Sequence, residues 1–164
     1  DANDTEALFA VYSDPVVMRY WSRPPQRELA EAAQLIADID ACRERGDLLQ
    51  WGIERLDIGQ VIGTCTLADI NPRQGRAEVG YILGSAHWRQ GYAREALARL
   101  LAHARTGMGL RRIEADVDPR NAPSLKVLER LGFTREGYLR ERWVVAGETQ
   151  DSVLLGLLLR DFVG

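Results

Sequence analysis

The sequence has little of what a metal centre, a disulfide scaffold or a nucleic-acid binder would use. Its 164 residues include only two cysteines and two histidines. Cys42 and Cys65 fall in a predicted helix and a predicted strand without metal-ligand spacing. That excludes a disulfide framework, fits a reduced, cytoplasmic setting, and leads us to expect no metal. Lysine is nearly absent: Lys126 is the only one among 21 basic residues, and the arginine bias carries no functional weight here. With 24 acidic residues the formal charge is -3, so no overall basic field exists to hold nucleic acid or an anionic membrane. No apolar run approaches the roughly 18 residues that span a bilayer, and the first residues lack the layout of a signal peptide. A Gly-Lys-Ser/Thr loop and a Gly-x-Gly-x-x-Gly fingerprint are both missing, which argues against a nucleotide-binding α/β protein.

What is present is a regular alternation of patterns over a length suited to one core, so a single domain over residues 1–164 is expected. Asn3 followed by Glu6 has the form of a capping box, and Leu8, Val11 and Tyr12 supply an apolar face until Asp14-Pro15. Leu29, Ala32, Ala33, Ile36 and Ile39 mark a second helix ending at Gly46. Residues 49–56 and 61–70 read as a hairpin around Asp57-Ile58-Gly59, and residues 77–83 as a third strand. A helix with Ala93, Leu97, Leu100, Leu101 and Ala104 on one face follows, then a strand over 112–117. Leu125, Leu128 and Leu131 form the stripe of a helix capped by Gly132, and residues 133–145 and 152–159 make a terminal hairpin whose apolar second arm should be central. This order predicts a mixed α/β sheet with two stretches where strands run parallel or splay.

Between the third strand and the helix that follows it lies His87-Trp88-Arg89-Gln90-Gly91-Tyr92-Ala93-Arg94-Glu95-Ala96. Small residues at a helix N-terminus leave its unpaired N–H groups open to a phosphate, which the partial positive charge there favours. Gly91 alone would be only a permissive turn residue. The segment resembles the acyl-CoA pyrophosphate loop of the GNAT acetyltransferases, written Gln/Arg-x-x-Gly-x-Gly/Ala, with Trp88 where that motif has Gln or Arg. Aromatic-x-x-Gly-Tyr-Ala is similar to the branch of ribosomal-protein N-terminal acetyltransferases, as are Asn121-x-x-Ser124 with Leu131-Gly132-Phe133, Ser13-Asp14-Pro15, Glu78-Val-Gly80-Tyr81, and Gly147 with Asp151. The resemblance covers essentially the whole chain but lacks the family's first strand, which is expected to be missing.

The resemblance implies the GNAT fold, a mostly antiparallel sheet with two splayed parallel strands and flanking helices, and acetyl-CoA as co-substrate. Residues 77–83 and 112–117 would splay to admit the pantetheine arm. Ile82 and Leu83 would hold it with main-chain groups and give a donor to the thioester oxygen, with Tyr81 beside them in the cofactor site, while Trp88, Arg89, Gln90, Gly91, Tyr92 and Ala93 bind the pyrophosphate. Asn121 would cap its helix and contact pantetheine. The family places a Tyr or Ser near the departing sulfur; its usual Tyr position is Leu128 here, which leaves Ser124. A free amine is mostly protonated at neutral pH and needs a base. Glu78 is the carboxylate expected to serve, with Glu141 a weaker candidate. Glu78 could equally be a charged residue on the solvent face of its strand, and Ser124 could simply bond nearby backbone.

Of four tryptophans only Trp21, in the polar loop after the first helices, is expected to face an acceptor; His87 and His103 are expected at the surface. The acceptor is expected to be a peptide N-terminus or a small amine, and the protein a monomer or a homodimer. A non-catalytic acyl-CoA sensor on the same fold is the competing reading.

Overall fold

The computed structural model describes residues 2–163. After a 3-10 turn at Ala2–Asp4 come α1 (Thr5–Tyr12), α2 (Pro15–Met18) and α3 (Leu29–Arg45). The capping box does not form in its expected register, because α1 starts at Thr5 and its N-cap position falls on Asp4 rather than Asn3. Asp14 instead provides a real cap, accepting the Val16 N–H at 2.8 Å ahead of Pro15, whose fixed φ suits the first helical position. Strands β1 (Leu48–Arg55), β2 (Gln60–Asn71) and β3 (Arg76–Leu83) lead into α4 (Tyr92–Thr106). Then follow β4 (Arg112–Val117), α5 (Ala122–Arg130), β5 (Thr134–Val145) and β6 (Glu148–Leu158). At the end of α5 the Gly132 and Phe133 N–H groups return to the Glu129 and Leu128 carbonyls, with Gly132 at φ 94°. This is a Schellman ending, and it bears out the expected glycine cap.

The six strands form one sheet in the order β1-β2-β3-β4-β6-β5. Every neighbouring pair is antiparallel except β3 with β4. Two stretches of parallel or splayed strands were expected, and β3 with β4 supplies one that is both, paired in parallel only over its first residues. The return from α5 does not set β5 against β4, because β6 takes that central place and pushes β5 to the edge. Burial explains the choice: Val153, Leu155 and Leu157 of β6 are almost fully buried, whereas β5 is exposed along most of its length. An apolar strand gains by lying between neighbours; the polar β5 tolerates an edge.

The two faces of the sheet have different covers. One packs Val79, Leu83, Ile113, Ala115, Val153 and Leu155 under Leu97, Leu101, Leu125 and Leu128 of α4 and α5. Each fully buried leucine there is worth roughly 1.5–3 kcal/mol of apolar transfer. The other face carries Ile82 against Leu8, Val11, Tyr12, Met18 and Leu35 of the first three helices. Tyr12 fixes α1 to the sheet by a buried 2.9 Å hydrogen bond between its hydroxyl and that of Thr64.

Candidate active site

The parallel pair β3–β4 is short. Its register runs only from Arg76 opposite Arg112 to Glu78 opposite Glu114, after which the strands separate. From Val79 to Leu83, β3 stays paired with β2 on its other side. The Gly84 N–H donates to the Ile62 carbonyl, so strict alternation turns the peptide groups of Ile82 and Gly80 toward β2 and those of Val79, Tyr81 and Leu83 toward the opening. Of the two residues expected to offer main-chain groups, Leu83 thus faces the gap and Ile82 does not. Gly63 makes this possible. A Cβ there would lie 2.2 Å from the Ile82 carbonyl oxygen, so only glycine lets β2 hold β3 this closely while β4 diverges.

The loop after β3 is built to leave amides free. The first intrahelical bond of α4 runs from the Glu95 N–H to the Gly91 carbonyl, so the N–H groups of Tyr92, Ala93 and Arg94 have no partner in the helix. Gly91, at φ 92°, has nothing within 4 Å of a would-be Cβ, and Arg89 also takes a left-handed conformation at φ 60°. The expected loop residues 88–93 therefore lie together at one helix end, beside the gap. Trp88 has a part that the sequence did not reveal: its indole N–H donates to the Leu83 carbonyl at 2.6 Å, tying the loop to the end of β3. His87 is half-buried, not at the surface as expected, and meets the Tyr92 ring edge-on; His103 is exposed. Ser85 holds the same loop to the start of α2 through a 2.8 Å bond to Asp14.

On the α5 side, the Asn121 carboxamide oxygen accepts the Ser124 N–H at 3.2 Å, which is the expected cap. The Ser124 hydroxyl lies 2.9 Å from the Tyr81 hydroxyl, so a side chain of β3 and one of α5 meet there. Burial pushes the Tyr81 phenol up to about 12, against the opposing effect of its bond to Ser124. Leu128, at the position where the family has its tyrosine, is buried in the core.

The opposite face carries the carboxylates. Side-chain alternation puts Glu78, Gly80 and Ile82 on the side of α1–α3, and Glu78 is half-buried there. Burial first, then the negative charges of Asp116, Asp69 and Glu114, raise its carboxyl to about 7; Arg142 opposes them. Glu114 is engaged by Arg76 and Arg112, both at 2.8 Å, and Asp116 accepts from the Trp143 indole at 3.1 Å. Trp21 packs over Gly80, where a Cβ would be 3.9 Å from its ring, and edge-on to Tyr12. It thus lies half-buried over the face of β3 that also carries Glu78. Glu141 sits in a β5 bulge at φ 52°, with its N–H bonded to Asp151 at 2.8 Å, on the exposed edge strand. A groove of about 570 Å³ between β1 and α4 is lined by Trp51, Tyr92, Leu100 and His103, but by neither Glu78 nor Ser124. Among the described residues no cluster of His, Cys, Asp and Glu could hold a metal ion, and no helix is long and apolar enough to cross a membrane.

Residues 1–134 match the family model described as an acetyltransferase (GNAT) domain. The chain is 36% identical over all 164 residues to an uncharacterized N-acetyltransferase, p20, of Bacillus licheniformis, and covers 92% of that protein. It is 27% identical over 125 residues to the ribosomal protein uS5-alanine N-acetyltransferase of Escherichia coli, which is 76% of this chain and 64% of that one. Among solved structures it resembles Mycobacterium smegmatis RimJ in complex with CoA-disulfide, with a TM-score of 0.89 and 25% identity over 98% of this chain and 80% of the other.

Proposed function

The chain belongs to the GNAT acetyltransferase family and is an N-acetyltransferase; from that premise we propose that it passes the acetyl group of acetyl-CoA directly to a primary amine, with both substrates bound at once. The observation that carries this reading is the opening between β3 and β4, which has outward-turned peptide groups of β3 on one wall, a helix end whose first N–H groups have no partner in the helix beside it, and a carboxyl of raised pKa on the far face. In this reading the amides of Tyr92, Ala93 and Arg94 take the pyrophosphate. Main-chain groups of Tyr81 and Leu83 hold the pantetheine arm and present an N–H to the thioester oxygen, a contact commonly worth a few kcal/mol of barrier.

Glu78 takes the amine proton. A carboxyl poised near 7 is half ionised at neutral pH and far more basic than an ordinary glutamate, which suits general-base work. The amine nitrogen then attacks the thioester carbon, the nitrogen of the tetrahedral intermediate passes its extra proton to water, and the C–S bond breaks as that intermediate collapses to the amide. Ser124, capped by Asn121, offers its hydroxyl to the departing sulfur. Trp21 and the carboxylates around Glu78 line the approach of the acceptor, a peptide N-terminus or a small amine. The test is release of free thiol from acetyl-CoA against a panel of alanine- and serine-starting peptides, polyamines and aminoglycosides. Release with one acceptor class is expected; tight acetyl-CoA binding without release for any amine would favour a non-catalytic sensor.

A further inference from the structure

We propose that Tyr81 is a positioning residue for the Ser124 hydroxyl, and that the two act as one unit on the departing sulfur. The inference rests on the acetyl-transfer reading above. Tyr81 comes from β3 and Ser124 from the first turn of α5, so their 2.9 Å contact bridges the elements on either side of the opening.

The direction of that bond decides what Ser124 can do. A hydroxyl has one proton. If Ser124 donated to Tyr81, its proton would be spent and the half-buried phenol would need another acceptor. The nearest one is the Ser124 carbonyl at 3.4 Å, a marginal distance for an O–H donor. If Tyr81 donates to the Ser124 oxygen, the good 2.9 Å bond satisfies the phenol, and the Ser124 proton is free to turn toward the opening. A hydroxyl that accepts a hydrogen bond is also polarised into a better donor. The Ser124 N–H is already held by Asn121, so backbone and side chain are both fixed before a substrate arrives. When the C–S bond breaks, its electron pair goes to sulfur, and the Ser124 O–H stabilises that charge as a hydrogen-bond donor. The thiolate is later protonated by water, so neither hydroxyl need lose its proton. The phenol of Tyr81, held well above its ordinary range, stays protonated as this role requires.

The experiment is a double-mutant cycle on the full chain, reading kcat and the KM for acetyl-CoA with the best amine of the panel. Tyr81→Phe is expected to lower kcat about tenfold with the KM for acetyl-CoA within twofold of the unaltered protein. The variant carrying both Tyr81→Phe and Ser124→Ala is expected to be no slower than Ser124→Ala alone, because removing the second hydroxyl deprives the first of its target. A Tyr81→Phe rate within twofold of the unaltered protein, or losses that multiply in the double variant, would overturn the proposal. Should Tyr81→Phe lose its thermal transition, 3-fluorotyrosine at position 81 keeps shape and hydroxyl, and a shift in kcat at unchanged melting temperature replaces it as the test; no shift overturns the proposal. Failure of the unaltered protein to release thiol with any amine would strike the acetyl-transfer reading itself, a separate result.

Discussion

The indole N–H of Trp88 donates to the main-chain carbonyl of Leu83 at 2.6 Å, and that bond joins the helix end proposed to take the pyrophosphate to the strand edge along which the pantetheine arm would lie. Trp88 stands where the family motif has Gln or Arg. A long polar side chain is replaced by a rigid donor that fixes loop and strand relative to each other.

Trp88→Phe keeps the ring and deletes the donor. A hydrogen bond of this kind is worth about 1 kcal/mol to the fold, so the melting temperature should fall by about 2–4 °C, and acetyl-CoA affinity, measured by titration calorimetry, should weaken as loop and strand lose their tie. Unchanged affinity would deny the bond any part in binding.

Glu78 predicts a pH profile. Its carboxyl loses its proton near 7, so kcat/KM should rise with pH up to about 7 and then level off. Glu78→Gln should remove that limb and lower the rate at pH 8 at least tenfold, a barrier of about 1.4 kcal/mol. The same limb persisting in the variant would assign the base elsewhere.

The same group makes a stability prediction of definite sign. In the unfolded chain it has its ordinary value of 4.5, and in the folded protein about 7. Between those values the folded state binds the extra proton, so its contribution to stability is lost as pH rises through that window. Glu78→Gln, which cannot ionise, should therefore melt higher than the unaltered protein at pH 8, with the difference vanishing toward pH 4. A gain that grows on acidification would contradict the raised value.

Gly63→Ala drives a methyl into the Ile82 carbonyl, with Leu83 Cα only 2.9 Å away. Neither backbone group can swing aside cheaply, so a loss of about 1–3 kcal/mol is expected, together with weaker acetyl-CoA binding as β3 shifts. Gly91→Ala meets open space but a left-handed φ, and should cost about 1–2 kcal/mol from conformation alone. Thermal melts of both, with acetyl-CoA titrations, separate contact from conformation; equal melting losses with unaltered binding would refute this account of Gly63.

Much of the architecture was legible. The strand over 112–117 and the helix ending at Gly46 were read to the residue, because alternation, helical spacing and left-handed caps are local. The loop over 88–93 and the Asn121 cap were legible for the same reason. Less legible were contacts between distant segments. Tyr81 could be placed on β3, but nothing local told that its hydroxyl would reach Ser124, 43 residues later. The raised carboxyl of Glu78 depends on Asp116 and Asp69, which come from a neighbouring strand and from a bulge at the end of β2.

The sequence by itself determined most of the helices and strands, though not the short helix α2 or the start of β6 at Glu148, and which helix end is bare enough for a phosphate, since those properties follow from side-chain period and backbone freedom within a few residues. The tertiary structure alone decided that β6 rather than β5 lies beside β4, that β3 and β4 part after Glu78, and which hydroxyl and carboxyl groups face each other. Those outcomes depend on how much apolar surface each strand buries against partners remote in the chain, a competition among whole elements that no local pattern records.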